Sequence, residues 1–524
     1  MGMLSRAWNA AGPVQTVLLA ILVCNIVSAA VYVVGLICLL SARSHLRQRN
    51  DARRRTILRE LGVFEREEDE PRPIVGFFHP YCNAGGGGER VLWAAIACMQ
   101  REDPRLIAVV YTGDVDAPKE AILARAQERF SISLDASSIA FVYLRRRRWI
   151  EATTWRRFTM FGQSIGSVVL AYEAMSRLIP DFYIDSMGYA FSFPVVAWLA
   201  SVPAAGYVHY PTISSSMLQR VSGREAGHTN SSAVSSSSVL SSVKYAYYLV
   251  FMELYSIALR QSSVLMVNST WTHGHVQRLL SPITQRDEHE AEDRKPVDPE
   301  QATRLRASIV YPPCDTASLS KLPLDGRQRI IFSLAQFRPE KEQALQLRAL
   351  AALFAARPDM RGGSARVSLV MGGSVRDEAD QARLDGLRAL AAELDVADHV
   401  QFVANASWTD LQAHFARASI GLSTMVDEHF GINVVELMAA GLIPLTHASG
   451  GPLLDIVVPY EGEPTGFHAR DAQDFAAKLE AILDLSEATQ LAFRWRARSL
   501  AVERFSTARF EAGWLAAWHA LRDQ

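Results

Sequence analysis

The sequence predicts an α/β protein: two doubly wound, parallel-sheet domains facing a cleft, carried on an N-terminal transmembrane helix. Three observations predict it. Residues 14–40 form a run of 27 positions without a charge. From residue 72 onward, short β-rich runs alternate with helical stretches, as parallel strands joined by crossover helices require. The twelve candidate strands are too many for one doubly wound sheet of ordinary size, so two such sheets are expected.

The uncharged run comes first. As a helix it is roughly 40 Å long, enough to cross an apolar core of about 30 Å with tilt. A cleaved signal peptide would carry a shorter apolar stretch behind its basic residues. Here the run is longer and the basic residues follow it. Arg6 alone precedes it; Arg43, Arg47, Arg49, Arg53, Arg54 and Arg55 follow, against Asp51. The positive-inside bias then expects 1–13 in the lumen, 14–40 in the membrane and 41–71 as a basic cytosolic linker. The sequons at Asn230, Asn268 and Asn405 would stay unglycosylated. The five cysteines (Cys24, Cys38, Cys82, Cys98 and Cys314) are scattered and odd in number, so they signal neither a zinc site nor a disulfide framework. A net charge of −1 offers nucleic acid no global basic surface.

In the first half, strands are expected at 74–78, 106–111, 140–144, 181–184, 205–208, 264–267 and 308–311. In the second half they are expected at 330–334, 367–371, 400–403, 420–423 and 443–446. Pro312, Pro313, Pro323 and Gly326 punctuate the boundary between the halves. The serine-rich stretch 214–242 and the charged stretch 286–304 read as inserted loops.

Four motifs sit at strand-to-helix turns. His79-Pro80-Tyr81-Cys82-Asn83-Ala84 runs into Gly85, Gly86, Gly87, Gly88 and then Glu89-Arg90. Glycines let a ligand approach the backbone, and a helix N-terminus presents free N–H groups. Glu428, Phe430, Gly431 and Glu436 follow the strand at 420–423 and run into a short helix that stops at Gly441. Carboxylates there can accept hydrogen bonds from sugar hydroxyls. Arg338 and Lys341 follow the strand at 330–334 and put two cations where a phosphate could sit. Gly450 and Gly451 make a second glycine turn. Asp114 and Asp116 form an isolated DxD that reads as a solvated turn, because a Mg²⁺ site needs more ligands than two carboxylates. No metal site is expected.

Together these motifs resemble the retaining glycosyltransferases of family 4, which have the GT-B fold. Glu428 and Glu436 match the ends of that family's E-x7-E signature, and Gly372-Gly373, Phe505, Phe510 and Trp514 also fit. Within it, the segment 77–93 is similar to the eukaryotic GDP-mannose-dependent α-1,2-mannosyltransferases that extend a dolichol-linked oligosaccharide. Residues 143–147 and 335–341 are similar to them too. The resemblance covers 72–520. Where the family usually carries an arginine, this sequence has Gln336, and Arg338 is the nearest arginine.

The resemblance implies an acceptor- and membrane-facing domain over 72–320, a nucleotide-sugar domain over 321–500, and a C-terminal helix, 501–524, that packs back on the first. It implies GDP-mannose as donor and a dolichyl-diphosphate oligosaccharide as acceptor, which would receive its fourth and fifth mannoses at the cytosolic face of the endoplasmic reticulum. Lys341 and Arg338 would stabilise the leaving diphosphate. Glu428 would hold the transferred sugar or its phosphate, Glu436 the ribose, and His209 would line the sugar site. Arg145, Arg146, Arg147, Arg148 and Trp149, ahead of the aromatic stretch 155–175, fit an interfacial helix on anionic lipid. Other mannosyltransferases acting on the same lipid are candidate partners. The rival readings are another lipid-linked-glycan transferase of family 4 and a non-catalytic nucleotide-sugar-binding subunit.

Overall fold

The structure is a computed structural model, which describes residues 2–64, 70–213, 217, 218, 221, 223, 238–281 and 306–524. The first helix, α1, runs Gly2–Glu60. Among the described residues it is the one helix long and apolar enough to cross a membrane.

The first sheet contains β1 (Ile74–Phe78), β2 (Ile107–Thr112), β3 (Ile139–Tyr143), β4 (Phe182–Asp185), β5 (Ala204–Val208), β6 (Val264–Val267) and β7 (Ala307–Ile309). Its order is β3-β2-β1-β4-β5-β6-β7, and every pairing is parallel. The second sheet contains β8 (Gln328–Leu334), β9 (Ser368–Gly373), β10 (Val400–Ala404), β11 (Ala418–Ser423), β12 (Ile443–His447) and β13 (Phe467–Ala469), in the order β10-β9-β8-β11-β12-β13. Both sheets share one logic: the chain winds outward from the first strand, then reverses and winds the other way. Twelve of the thirteen strands lie where the alternation predicts them. The edge strand β13, Phe467-His468-Ala469, has no β-branched residue to mark it, whereas the equally short β7 runs on into Val310 and Tyr311.

Helices cover both faces of each sheet. On one face of the first, α2 (Gly87–Glu102) packs with the last helix, Thr507–Arg522. Phe510, Trp514, Trp518 and Leu521 of that last helix are buried with Val91, Leu92 and Trp93 of α2. On the other face lies α4 (Thr159–Arg177), after α3 (Lys119–Phe130). The stretch 282–305, which holds the predicted loop 286–304, lies outside the described residues. So does most of 214–237, but Ser238 begins a helix, α5 (Ser238–Leu259). The loop expected over 214–242 therefore ends earlier: the apolar residues from Val239 onward give this segment a face to bury despite its serines.

Candidate active site

In each sheet the chain reverses direction between two central strands, which leaves a crevice at their carboxyl ends. Those strands are β1 and β4 in the first sheet, β8 and β11 in the second. The turns after β1, β8 and β11 carry three of the four predicted motifs.

In the second domain, the turn after β8 carries Arg338 and Lys341, and the turn after β11 carries Glu428. Lys341 Nζ lies 2.6 Å from Glu428 Oε2. Arg338 pairs with Glu340 at 3.2 Å and is more exposed. The Glu428 loop is held from behind by glycines. A Cβ on Gly450 would lie 2.3 Å from the Glu428 carbonyl oxygen, and φ there is +66°. Gly451 N–H donates to the same oxygen at 2.7 Å, and a Cβ on Gly451 would strike the backbone of His429 and Phe430. Gly431, with φ +113°, starts α10, which spans Ile432–Ala439; between α5 and α10 lie α6 (Thr270–Leu280), α7 (Gln343–Ala356), α8 (Glu378–Glu393) and α9 (Trp408–Arg417). Phe430 is buried against Tyr311 and Phe505 and supports the loop from beneath.

In the first domain, Gly85 takes φ +80°, Gly86 caps α2, and Gly87 and Gly88 form its first turn. Gly86 N–H donates to Glu89 Oε2 at 2.7 Å. His79 Nδ1 lies 2.8 Å from Ser186 Oγ, so the turns after β1 and β4 are tied together. His209, at the tip of β5, places Nε2 2.9 Å from the Ser186 carbonyl oxygen. Because a carbonyl only accepts, Nε2 carries the hydrogen, which leaves Nδ1 as the lone-pair nitrogen of the neutral ring. Burial lowers this imidazole to about 4, against the pull of the Ser186 carbonyl. His209 is therefore neutral at physiological pH.

Several contacts cross the cleft. Arg90 Nη1 lies 3.4 Å from Glu436 Oε1. Burial raises the Glu436 carboxyl above its ordinary range, and Arg90 opposes that rise. A Cβ on Gly87 would lie 2.8 Å from Ile432 Cδ1, so the glycine turn allows the two helix starts to approach. His429 stacks on Tyr210 at 4.1 Å between ring centroids and lies 5.2 Å from Trp271. Asp455 is fully buried; it accepts from Thr270 N–H at 2.9 Å and from the Tyr311 hydroxyl at 2.8 Å.

The sequence gives no role to Arg90, Tyr210, Trp271, His429 and Asp455, because their partners lie far along the chain. The one available signal was for Arg90, the first cation after the glycine run. Asp114 is engaged by Asn83 N–H at 2.9 Å and by Arg147. Among the described residues no group of three or more His, Cys, Asp or Glu could hold a metal.

The segment Arg145–Trp149 folds onto α4. Arg145 and Arg146 N–H groups donate to Glu173 at 3.0 and 3.1 Å. Arg147 pairs with Asp114 and lies 5.0 Å over the Tyr81 ring, while Arg148 is exposed. Trp149 meets Trp155 edge-on at 6.1 Å. Beyond them, Phe161, Ile165, Val168 and Tyr172 are exposed along one face of α4. On α5, Val243, Val250, Leu254 and Ile257 do the same. The Phe158 and Tyr247 rings, 5.5 Å apart, join the two helices.

Two family models match. One described as "ALG11 mannosyltransferase N-terminus" matches residues 72–280, and "Glycosyl transferases group 1" matches 316–499. Among curated relatives, a protein from Xenopus laevis named "GDP-Man:Man(3)GlcNAc(2)-PP-Dol alpha-1,2-mannosyltransferase" is 42% identical, over 86% of this chain and 88% of its own. The Homo sapiens protein of the same name is 41% identical, over 84% and 86%. Among solved structures, Anabaena HepE in complex with UDP and glucose aligns with a TM-score of 0.56 at 14% identity, over 85% of this chain and 99% of its own. The OtsA apo structure aligns at 0.59 and 12%, over 85% and 98%. These likenesses give the expected GT-B fold.

Proposed function

The chain belongs to the GDP-Man:Man(3)GlcNAc(2)-PP-Dol alpha-1,2-mannosyltransferase family, and from that premise we propose that it transfers mannose from GDP-mannose to a dolichyl-diphosphate-linked oligosaccharide. One observation carries the reading: the 42% identity extends over 86% of this chain, a span too long to leave out either domain. The product is the α-1,2-linked chain carrying its fourth and fifth mannoses.

The chemistry is leaving-group departure from an α-linked donor to give an α-linked product. Lys341 and Arg338 meet the charge that grows on the diphosphate as the glycosidic bond breaks. The Lys341–Glu428 pair at 2.6 Å supports this, because a diphosphate entering there exchanges one anion for another at the lysine. Glu428, so released, accepts hydrogen bonds from the transferred mannose. Glu436 binds the ribose, with Arg90 holding its carboxylate. The glycine turn and the start of α2 face the donor. His209, neutral with Nδ1 as acceptor, receives a mannose hydroxyl. Lys341 and Arg338 supply the positive charge that the leaving diphosphate needs, so transfer proceeds in EDTA; activity lost in EDTA and restored by Mn²⁺ contradicts this.

The enzyme works at the cytosolic face of the endoplasmic reticulum membrane, anchored by α1. The basic segment after the apolar run supports that orientation. The exposed apolar faces of α4 and α5, with Arg145 and Arg148 beside them, rest on the bilayer. A donor panel on the purified full-length protein tests the reaction: GDP-mannose is used, and UDP-glucose and UDP-N-acetylglucosamine are not. Preference for a uridine donor rejects the reading. Protease treatment of sealed microsomes tests the orientation, and a protected catalytic domain rejects it.

A further inference from the structure

We propose that the pocket between α1 and α4 is a seat for the phosphate end of a membrane lipid, gripped by Arg53, Arg146 and Arg177. The inference rests on this chain being a membrane protein, not on its reaction.

The pocket has a volume of about 510 Å³ and is lined by Arg53, Arg146, Tyr172, Glu173, Ser176 and Arg177. Three guanidiniums face one carboxylate there, which leaves two formal positive charges. Glu173 is already occupied: it accepts from Arg145 and Arg146 N–H and from Arg177 Nη2, the last at 3.3 Å. It has little capacity left for the side chains of Arg53 and Arg146. Neither of those side chains has a hydrogen-bond or ion-pair partner among the described residues. Arg53 Nη1 is buried and unsatisfied. A buried donor without a partner is unfavourable, the more so when it is charged, so the pocket is suited to an anion. A phosphate supplies several acceptor oxygens in the geometry a guanidinium fork matches.

The surroundings select a lipid-borne phosphate over a free one. Tyr172 lines the pocket and is also the last residue of the exposed apolar stripe on α4. Arg53 lies on the same continuous helix as the uncharged run 14–40. A charged seat that opens onto an apolar face, beside an anchor, matches a phosphate with an acyl or isoprenoid tail.

Full-length protein in neutral detergent is titrated with four probes: dihexanoyl phosphatidic acid, dihexanoyl phosphatidylcholine, farnesyl diphosphate and inorganic pyrophosphate. Phosphatidic acid, farnesyl diphosphate or both are expected to bind and to raise the melting temperature. Arg53→Gln with Arg146→Gln should weaken that binding by roughly ten-fold or more, and Arg53→Lys should retain most of it. Tighter binding of farnesyl diphosphate identifies an isoprenoid diphosphate as the lipid; tighter binding of phosphatidic acid identifies a bilayer phospholipid. Either result upholds the seat. Pyrophosphate or phosphatidylcholine binding as tightly as the best probe overturns it, and so does undiminished binding by the double variant. If Arg53→Gln fails to fold, Arg146→Gln alone, at an exposed position, carries the same test. Intact lipid binding without mannosyl transfer counts against the reaction and leaves the seat standing.

Discussion

Lys341 and Glu436 both sit at the second switch point, yet they should fail differently. Charge on the diphosphate grows in the transition state, so Lys341→Ala should lower kcat by about 10²–10³ while KM for GDP-mannose changes less. A ribose contact is made equally in both states, so Glu436→Ala should mainly raise KM. Steady-state kinetics decide, and a Lys341→Ala effect confined to KM refutes the leaving-group role. Asp185 offers a pH-dependent contrast. It is buried, its Oδ2 lacks a partner, and burial raises its carboxyl to about 7. The folded form then holds a proton that the unfolded form releases, so its contribution to stability falls as pH rises through about 4 to 7. Asp185→Asn should raise the melting temperature more at pH 8 than at pH 5; equal shifts contradict the assignment. His209 has the opposite sign. Lowered to about 4, it contributes stability that is present above its unfolded value of about 6.5 and lost as pH falls toward 4. The placement of Lys341, Glu428 and Glu436 near strand-to-helix turns was legible in the sequence; the roles proposed for them come from the family resemblance. Asp185 and Arg90 were not legible, because one is defined by burial and the other by a partner in the opposite domain.

At the scale of elements, two glycines make a controlled comparison. Gly450→Ala forces a Cβ to within 2.3 Å of the Glu428 backbone at φ +66°. It should displace the Glu428 loop and abolish transfer. Gly386 lies inside α8 with nothing near its missing Cβ, so Gly386→Ala should stabilise by about 0.5–1 kcal/mol. Denaturant melts with activity assays read both, and comparable losses from the two would remove the packing explanation. The exposed stripe on α4 makes a second prediction. Phe161→Asp with Ile165→Asp should raise KM for a lipid-linked acceptor and leave KM for GDP-mannose unchanged. Equal effects on both substrates would return the stripe to a structural role. Element type was legible almost throughout, since apolar periodicity is local. What escaped was the edge strand Phe467–Ala469, which has no β-branched residue, and the first turn of the helix starting at Ser238, where serines mask the apolar run that follows.

The whole molecule is two sheets of the same winding order, held together by Arg90–Glu436, the Tyr210–His429 stack and the bond from Thr270, at the start of α6, to Asp455. The last helix leaves the second domain and buries Trp514 and Trp518 in the first, which ties the halves at a second place. Two-domain winding was readable from the count of alternating runs; the cross-links were not, because they are tertiary. This arrangement puts a cation-bearing turn opposite a glycine turn, as transfer from a nucleotide-sugar donor to a membrane-borne acceptor requires. It is tested most directly by incubating full-length protein with GDP-mannose and a Man3GlcNAc2-diphosphate-lipid acceptor and weighing the released glycan. The expected result is a mass increase of two hexoses, both removed by an α-1,2-specific mannosidase. A glycan of unchanged mass, or hexoses resistant to that enzyme, would contradict it.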